Sequence, residues 1–492
     1  MPRYMHTDID LRSDEIRKAF SRLIANRNLY KTHRFCFFID GLDEYEETRQ
    51  EDYKDMVSLL CSWADAAPQA VKICVSSREY NVFMNGFSEN QRLRVQDLTR
   101  GDMERYIRVK LEGMRDETER EDLVQAILDK ANGIFLWVAL VVKSLREQLE
   151  EGHDLPALKR ELDILPDELE ALFEYLLKSI RKSIRKRAYQ TFAMILESMP
   201  SQFYTSLFSY SFLGEYEINP QFAMQSPFPK GDMADTWRND RIENANRSLN
   251  GSCRGLVEVR EHLYGNGRSK RTIIEFTHRS VTEFLQKAEV KNDMDTHLKD
   301  FAPASAISQL FLAEVRCGEY SELPEALSRD LYSLIGMLNK RPIEPPPFLF
   351  REFLHSVVLG VKGQDGDDPN IGLGIIWTHD SGGYVVIDHD MDIHSYPVYP
   401  SLLHISAFVG CSEYVRWKIE TDPATIDTDL KKLFLFLWSL DGVRRDGNEG
   451  GLKIIEILLE RGLSHQTMAK RGHSAITVDV NLWQFFIIIM GR

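Results

Sequence analysis

The chain has 492 residues, of which 43% are hydrophobic and 28% are charged, and its formal net charge is −14. This length exceeds what one hydrophobic core usually organises, so we expect roughly two to four domains. The acidic balance argues against nucleic acid as a main partner, because binding to a phosphate backbone requires a cationic surface. All apolar runs stay below the roughly 18 residues that a membrane span needs, so no membrane partner is predicted either.

Cysteine usage and the amino terminus indicate the compartment. The six cysteines, at positions 36, 61, 74, 253, 317 and 411, include no CxxC pair. Cys36 and Cys74 lie within apolar runs, so we predict free, buried thiols in a reducing environment. The amino terminus, MPRYMHTDIDLRSDEIRK, is charged throughout and lacks the pattern of a secretory signal peptide. These features favour the cytosol or the nucleus, and we take the cytoplasm as the expected location.

The first strongly patterned stretch is FCFFIDGLDEY, from Phe35 to Tyr45. Its apolar start, Phe35 to Ile39, predicts a strand that is buried on both faces within a parallel sheet. An apolar strand that ends in acids has the form of a Walker B segment, in which the first acid, here Asp40, holds the Mg²⁺ of a bound nucleotide. A following acid, Asp43 or Glu44, could orient the attacking water. The alternative is a buried strand followed by an acidic turn.

A second strand is predicted one helix later. The apolar spacing of residues 53–66 predicts a helix, and the run Val71–Val75 predicts another buried strand. Strand, helix and strand within about 40 residues form a βαβ unit, whose two strand ends lie at the same edge of the sheet. Arg78 would therefore face the crevice beside Asp40, where its fork of donors could contact the terminal phosphate of a nucleotide. The alternative is a surface salt bridge between Arg78 and Glu79.

Helical patterns dominate the part that follows. We predict a helical domain over residues 98–184, in which the segment ANGIFLW (residues 131–137) lies in the middle of a long helical region that starts at Glu119. Residues 185–290 have the pattern of a winged-helix domain, because helical segments precede a hairpin of two short strands. The predicted helices cover 188–197, 206–212 and 240–250, and the strands cover 256–260 and 272–276.

Residues 291–492 are predicted to form an α-helical tail. Two helices are expected over residues 302–317 and 326–339. The strings SLLHISAFVG (residues 401–410) and IIEILLERG (residues 454–462) resemble parts of ankyrin repeats, and Gly472 could open a third repeat. The tail is therefore expected to contain degenerate ankyrin-like repeats.

The strings FFIDGLDEY, VKICVSSREYNVF and LRVQDLTRGDMERYI, in this order, resemble the fungal NACHT-type proteins of the STAND class of signalling NTPases. The resemblance covers roughly residues 13–290. It implies that FFIDGLDE is the Walker B segment, with Asp40 as the metal ligand, and that Arg78 is the sensor. The string FTHRSVTEFL resembles the winged-helix motif of these proteins, which implies that His278 touches the bound diphosphate and holds the closed form. The alternative is that His278 caps its own helix and packs against Phe276.

The same resemblance implies a fold class and a function. It implies an α/β P-loop NTPase domain with a parallel sheet, followed by a helical domain and a winged helix. A full-length member of this family uses ATP or GTP with Mg²⁺ to switch between closed and open assemblies. Its partners are other proteins and further copies of itself, and it acts in non-self recognition, incompatibility or cell-death signalling.

One departure from the family pattern limits these expectations. No Gly-Lys dipeptide occurs in the sequence, so it contains no GxxxxGK[ST] phosphate-binding loop, whose backbone amides and lysine cradle the phosphates. We therefore expect a truncated or degenerate relative, in which residues 1–97 are the carboxyl-terminal part of the NTPase domain and hold half a nucleotide site. Alone, the chain is expected to bind no nucleotide and to be inactive as a hydrolase. The alternative function is a non-catalytic scaffold that binds other proteins through its ankyrin-like repeats.

Overall fold

The computed structural model describes residues 22, 26, 28–45, 52–114, 116–226, 228, 235–264, 269–318, 324–340, 348–362, 375–377, 384–386, 402–427, 429–463, 468–473 and 476–481. The chain divides into two compact units, Met1–Asp102 and Met103–Arg492. The described residues are mostly helical, and they include one small parallel sheet. None of the described helices is both long enough and apolar enough to cross a membrane.

The first unit contains a parallel strand pair. Its elements are α1 (Leu29–Thr32), β1 (Phe35–Ile39), α2 (Tyr53–Ala66), β2 (Val71–Val75), α3 (Asn81–Gly86) and the start of α4 (Val95–Lys110). β1 and β2 pair in parallel, from Phe35 opposite Val71 to Ile39 opposite Val75. The predicted strand–helix–strand unit is therefore present, and the two strands end side by side.

The crossover helix α2 is held by a capping box and by one buried aromatic ring. The Asp52 carboxylate accepts from the backbone N–H groups of Lys54 and Asp55, and the Asp55 side chain accepts from the N–H of Asp52. Trp63 is fully buried, and its ring centroid lies 4.7 Å from that of Phe37 on β1. Reciprocal caps fix the first turn of a helix, so α2 begins at a defined point and packs one face against the sheet.

The other face of the parallel pair is exposed. Residues alternate along β1, with Cys36 and Phe38 exposed and their neighbours partly buried, and Phe38 retains 81% of its accessible surface. Cys74 on β2 is exposed as well. The prediction that β1 is buried on both faces is therefore wrong, as is the prediction of buried thiols at Cys36 and Cys74. A continuous apolar run reads the same whether one face of a strand is covered or both, so the pattern could not separate the two cases.

The second unit is built from helices and three antiparallel strand pairs among its described residues. After α4 come α5 (Glu117–Lys130), α6 (Phe135–Glu150), α7 (Leu155–Ile164), α8 (Leu169–Ser179), α9 (Lys182–Ser198), α10 (Leu207–Tyr210), α11 (Leu213–Ile218), α12 (Asp235–Cys253), β3 (Val257–Tyr264), β4 (Ser269–Phe276), α13 (Arg279–Leu285), α14 (Ala288–His297), α15 (Pro303–Arg316), α16 (Pro324–Asn339), α17 (Leu349–Lys362), β5 (Ile375–Trp377), β6 (Tyr384–Val386), α18 (Leu402–Phe408), α19 (Ser412–Thr421), α20 (Asp429–Asp446), α21 (Glu449–Glu460), β7 (Met468–His473) and β8 (Ile476–Asn481). A continuous buried core extends from Met103 to Leu463.

The segment ANGIFLW forms a break between two helices. α5 ends at Lys130, Asn132 and Gly133 take positive φ angles of 48° and 78°, and α6 starts at Phe135. Left-handed residues commonly follow a helix end, and glycine takes this conformation without a steric penalty. Trp137 is fully buried just after the break, where its Nε1 donates to the Pro166 carbonyl oxygen at 2.7 Å. The prediction of one helical region running through this segment is therefore wrong.

A buried ionic cluster connects β4 with two later helices. Arg271 on β4 donates to Glu314 of α15, with Nη2 and Oε2 2.7 Å apart, and also pairs with Asp330 of α16. Ser206 donates from Oγ to Glu314 Oε1 at 2.7 Å. The side chains of Arg271, Glu314 and Asp330 are 10%, 2% and 8% exposed. Two buried carboxylates thus share one guanidinium, and burial raises the pKa of Glu314 although Arg271 and Ser206 oppose the shift.

The contribution of Glu314 to the free energy of unfolding should fall as the pH rises. A carboxyl with a raised folded-state pKa stabilises the fold below its unfolded pKa, and this contribution is lost as the pH rises through the folded pKa. The free energy of unfolding of the wild type, relative to that of Glu314→Gln, should therefore decrease as the pH rises above 4.5, the ordinary pKa of a glutamate. Urea unfolding at several pH values measures this difference, with Glu261→Gln, on the exposed side of the hairpin, as the control. A difference between wild type and Glu314→Gln that is constant with pH would contradict the prediction.

Glycines allow the carboxyl-terminal helices to approach closely. Gly410, with φ +76°, ends α18, and a Cβ added to Gly450 would overlap the Gly410 backbone. Asn448 links the same elements, since its Nδ2 donates to the Phe408 carbonyl oxygen at 2.9 Å and its Oδ1 caps α21. The two predicted repeat strings thus lie in packed helices, and their likeness to ankyrin repeats stays a prediction. Gly472, expected to open a third repeat, lies within strand β7.

Candidate functional site

The carboxyl edge of the parallel pair brings two polar residues together. Asp40 follows β1 and Ser76 follows β2, and the pairing of Ile39 with Val75 places them side by side. Ser76 Oγ donates to Asp40 Oδ1 and accepts from the Gly41 N–H at 2.9 Å. This hydroxyl therefore links the two strand ends directly and orients the Asp40 carboxylate, which is exposed to solvent.

A tight turn holds the acids that follow Asp40. Gly41 has φ +73° and ψ 54°, a left-handed conformation, and begins a 3₁₀ turn over Leu42–Glu44. A Cβ on Gly41 would lie 2.9 Å from the Cδ atom of Glu44, so a larger residue would meet both backbone strain and a side-chain clash. Leu42 is buried and anchors the turn to the small core of the first unit. Because of this turn, Glu44 is exposed at the same edge as Asp40.

Asp43 and Arg78 form the second link across this edge. Asp43 Oδ1 accepts from the Arg78 backbone N–H at 3.0 Å, and Oδ2 lies 3.2 Å from Arg78 Nε. The Asp43 side chain is 10% exposed and that of Arg78 is 66% exposed, so the acid is enclosed while the guanidinium extends toward solvent. Tyr53 supports the turn by donating from its hydroxyl to the Asp43 carbonyl oxygen at 3.0 Å.

The pairing of Arg78 differs from the surface salt bridge with Glu79 that the sequence left open. Glu79 accepts instead from Arg94 Nε at 3.0 Å and from Gln96 Nε2 at 3.1 Å. The hydrogen bond from Arg94 holds the pKa of Glu79 below its usual value. Arg78 is therefore positioned by Asp43, at the strand end that also carries Asp40.

His278 lies in the second unit, at the amino end of α13. It is the N-cap residue of this helix, and its Nδ1 accepts from the Ser280 N–H at 3.1 Å. A ring nitrogen that accepts a hydrogen bond carries no proton, so the cap selects the tautomer with the proton on Nε2. The exposed ring is thus a local helix cap, which is the first part of the alternative interpretation; its packing against Phe276 stays a prediction. The cap leaves Nε2–H as the donor that an oxygen of a ligand could accept.

Sequence reasoning brought Asp40, Asp43, Glu44 and Arg78 to one edge but missed two contacts there. It did not assign Ser76 to Asp40, although Ser76 directly follows the second strand and the parallel register makes them neighbours. It also considered Asp43 only as a residue that orients water. The structure shows both of its carboxylate oxygens engaged with Arg78.

The edge offers part of what a magnesium–nucleotide complex needs. Asp40 supplies a carboxylate oxygen of the kind that Mg²⁺ prefers, and Arg78 supplies donors suited to a phosphate. Among the described residues, no group of three or more His, Cys, Asp or Glu side chains is placed to hold a metal ion. The sequence has no Gly-Lys dipeptide to provide the phosphate cradle. The residues present therefore fit one half of such a site.

Comparisons with known families match two parts of the chain. Residues 2–78, which include the parallel pair and the edge described above, match the family described as nephrocystin 3, N-terminal. Residues 179–325 match a domain of unknown function, DUF7791. No curated protein and no solved structure matches the chain. The segment that carries Asp40, Asp43, Glu44 and Arg78 is thus similar to the amino-terminal domain of nephrocystin 3.

Proposed function

We propose that this chain is part of a nucleotide-dependent signalling switch of the NACHT type and contributes one half of the nucleotide site. The observation that carries the proposal is the shared strand edge, where Asp40 is held by Ser76 and Arg78 is held by Asp43. Parallel sheets bind ligands at the carboxyl ends of their strands, and this edge presents a carboxylate beside a guanidinium. Such a pair matches the opposite charges of a metal ion and a phosphate group.

The roles of the four residues follow from their surroundings. Asp40 would hold Mg²⁺ and Arg78 would contact a terminal phosphate, while bound Mg-ATP or Mg-GTP supplies the phosphoryl group and the metal charge. Asp43 is enclosed and uses both oxygens on Arg78, so it acts as the positioning residue for that arginine. Glu44 is exposed and is therefore the better candidate to orient an attacking water.

Two features of the second unit support a winged helix that senses the nucleotide. Ser206 forms an isolated antiparallel bridge with Ile273 of β4, so a third extended segment lies beside the β3–β4 hairpin. Helices α10 to α12 come between that segment and the hairpin, an order that fits the winged-helix pattern. His278 follows this hairpin after one residue, with Nε2–H as its remaining donor. A contact from it to a diphosphate would couple the bound nucleotide to domain closure.

The purified 492-residue chain should bind Mg-ATP and Mg-ADP weakly or not at all. Backbone amides of a phosphate loop supply most donors to the β-phosphate, and this sequence has no GxxxxGK[ST] segment to provide them. A fusion that adds a phosphate-loop segment of a NACHT protein ahead of the chain should gain binding that depends on Mg²⁺. Isothermal calorimetry measures both, and Arg78→Gln in the fusion is the control for the arginine contact.

Two results would contradict this proposal. Micromolar affinity of the chain itself that Arg78→Gln abolishes would show that a phosphate loop is not what limits binding at the strand edge. A folded fusion that binds no nucleotide would remove the proposed role of the strand edge.

The second candidate is a non-catalytic scaffold. The observation that favours it is the helical second unit, whose buried core extends from Met103 to Leu463 and includes the packed carboxyl-terminal helices. A scaffold would bind its partners equally with and without nucleotide. Self-association of the fusion, measured by light scattering with ADP and with ATP, separates the candidates, because only a switch changes its assembly with the nucleotide.

A further inference from the structure

The second unit contains a cleft that is lined by none of the residues assigned so far. It has a volume of about 370 Å³ and lies among α6, α7, the start of α9 and the residue that follows α12. Four basic side chains line it: His153, Arg160, Arg181 and Arg254. Its volume falls in the range of about 300–1,000 Å³ typical of small-molecule sites.

The arginines of this cleft have guanidinium N–H groups that form no hydrogen bond with the described residues. Arg160 and Arg181 are exposed, and neither forms a hydrogen bond or an ion pair through its side chain with the described residues. Arg254 donates from Nη1 to Glu147 at 3.1 Å, while its Nε is buried without a hydrogen-bond partner. Arg254 also has a positive φ of 47°, which is uncommon for a residue other than glycine. Three guanidinium groups therefore line one cleft, and the described residues provide one ion pair for the three of them.

Three glutamates also line the cleft, which balances the formal charge of its three arginines, but among the described residues none of these acids pairs with Arg160 or Arg181. Glu147 is the partner of Arg254, and Glu161 accepts from the Tyr175 hydroxyl at 3.0 Å. Glu151 lies 3.9 Å from His153 Nε2. Arg181 is also the N-cap of the 17-residue helix α9 and provides no side-chain cap, so the partial positive charge of that helix end adds to the arginines.

We propose that this cleft binds a small soluble molecule through a phosphate or diphosphate group. Guanidinium groups form paired, charge-assisted hydrogen bonds with phosphate oxygens, and a helix amino end favours the same anion. A phosphate group in the cleft would meet Arg160 of α7, Arg181 at the start of α9 and Arg254 after α12. A bound phosphate group would therefore contact both the helices α7 and α9 and the segment that leads into the β3–β4 hairpin.

Pyrophosphate is the simplest probe for this site. Calorimetry on the intact chain should detect one binding event, and the double variant Arg160→Gln/Arg181→Gln should weaken it about a hundred-fold, since each arginine provides charge-assisted hydrogen bonds. Each single variant should weaken it about ten-fold, and Arg181→Lys should retain part of the affinity because the charge remains. Both arginines are exposed and their side chains lack partners in the described part of the chain, so the melting temperature should stay unchanged.

Two matched controls separate this site from other causes. Arg416→Gln removes an exposed arginine of α19 and should leave pyrophosphate binding unchanged, which controls for net charge. Arg78→Gln should also leave it unchanged, so a failure of the proposed nucleotide half-site would not affect this result. No binding at millimolar pyrophosphate would overturn the proposal. Equal binding by the wild type and the Arg160→Gln/Arg181→Gln variant would overturn it as well.

Discussion

Replacing Arg271 with methionine should lower the free energy of unfolding by about 3–5 kcal/mol, because breaking a buried ion pair leaves an uncompensated charge. Here the loss concerns two carboxylates, Glu314 and Asp330, which are 2% and 8% exposed. Asp330 keeps a second neighbour, Arg329, whose Nε lies 3.9 Å from its Oδ1, so the uncompensated charge is mainly that of Glu314. Methionine fills a similar volume, so the result reports the charge more than a cavity. Equilibrium urea unfolding, followed by circular dichroism, measures the change.

The matched control for Arg271 lies on the neighbouring strand of the hairpin. Arg260 of β3 also pairs with two acids, Glu258 and Glu275, but its side chain is 54% exposed. Arg260→Met should therefore change the free energy of unfolding by about 1 kcal/mol or less. Equal losses for the two variants would show that burial of the Arg271 cluster does not determine its effect.

In a fusion with a phosphate loop, Glu44→Gln should slow ATP hydrolysis by about two to four orders of magnitude. The amide keeps the size of the side chain but cannot accept a proton from water, so Mg-ATP binding should change little. Asp40→Asn in the same fusion should remove the dependence of binding on Mg²⁺. Single-turnover hydrolysis and calorimetry separate the two effects.

Asp43→Asn is the matched control for Glu44, because both acids belong to the turn Leu42–Glu44. Asp43 positions Arg78, so its loss should weaken nucleotide binding more than it slows the chemical step. Normal hydrolysis by the Glu44→Gln fusion would show that Glu44 does not orient the attacking water. Either Asp43 or a residue outside this turn would then have that role.

The sequence was sufficient to predict the strand–helix–strand unit and the edge that it creates. The apolar runs of β1 and β2 and the helical spacing between them are strong local signals, and the parallel direction of the two strands then places Asp40 and Arg78 at the same edge. The same reasoning could have assigned Ser76, which follows from register alone. It could not show that Phe38 and Cys74 are exposed, because a local pattern does not reveal which elements cover a strand.

Other features depend on contacts between distant parts of the chain. Arg271 lies in the string SKRTIIEF, where its charge favours a solvent-facing position on a hairpin strand. Its burial depends on Glu314 and Asp330, which are 43 and 59 residues away. The break at Asn132 and Gly133 is local, yet the apolar residues on either side continue the helical period and conceal it. The hydrophobic pattern thus does not determine ion pairs between distant residues, and it does not reveal residues with positive φ angles.

The continuous core of the second unit limits how this part of the protein can evolve. Contacts such as the Phe203–Phe311 ring pair and the Ser206–Glu314 hydrogen bond join residues on both sides of position 290. A gene segment that ended there and was transferred to another protein would carry Arg271 without its two carboxylates. Recombination at this point would therefore yield a segment that exposes apolar surface normally buried in the core and leaves the charge of Arg271 without its carboxylate partners. Residues 185–290 and the helices up to α16 are expected to be inherited together.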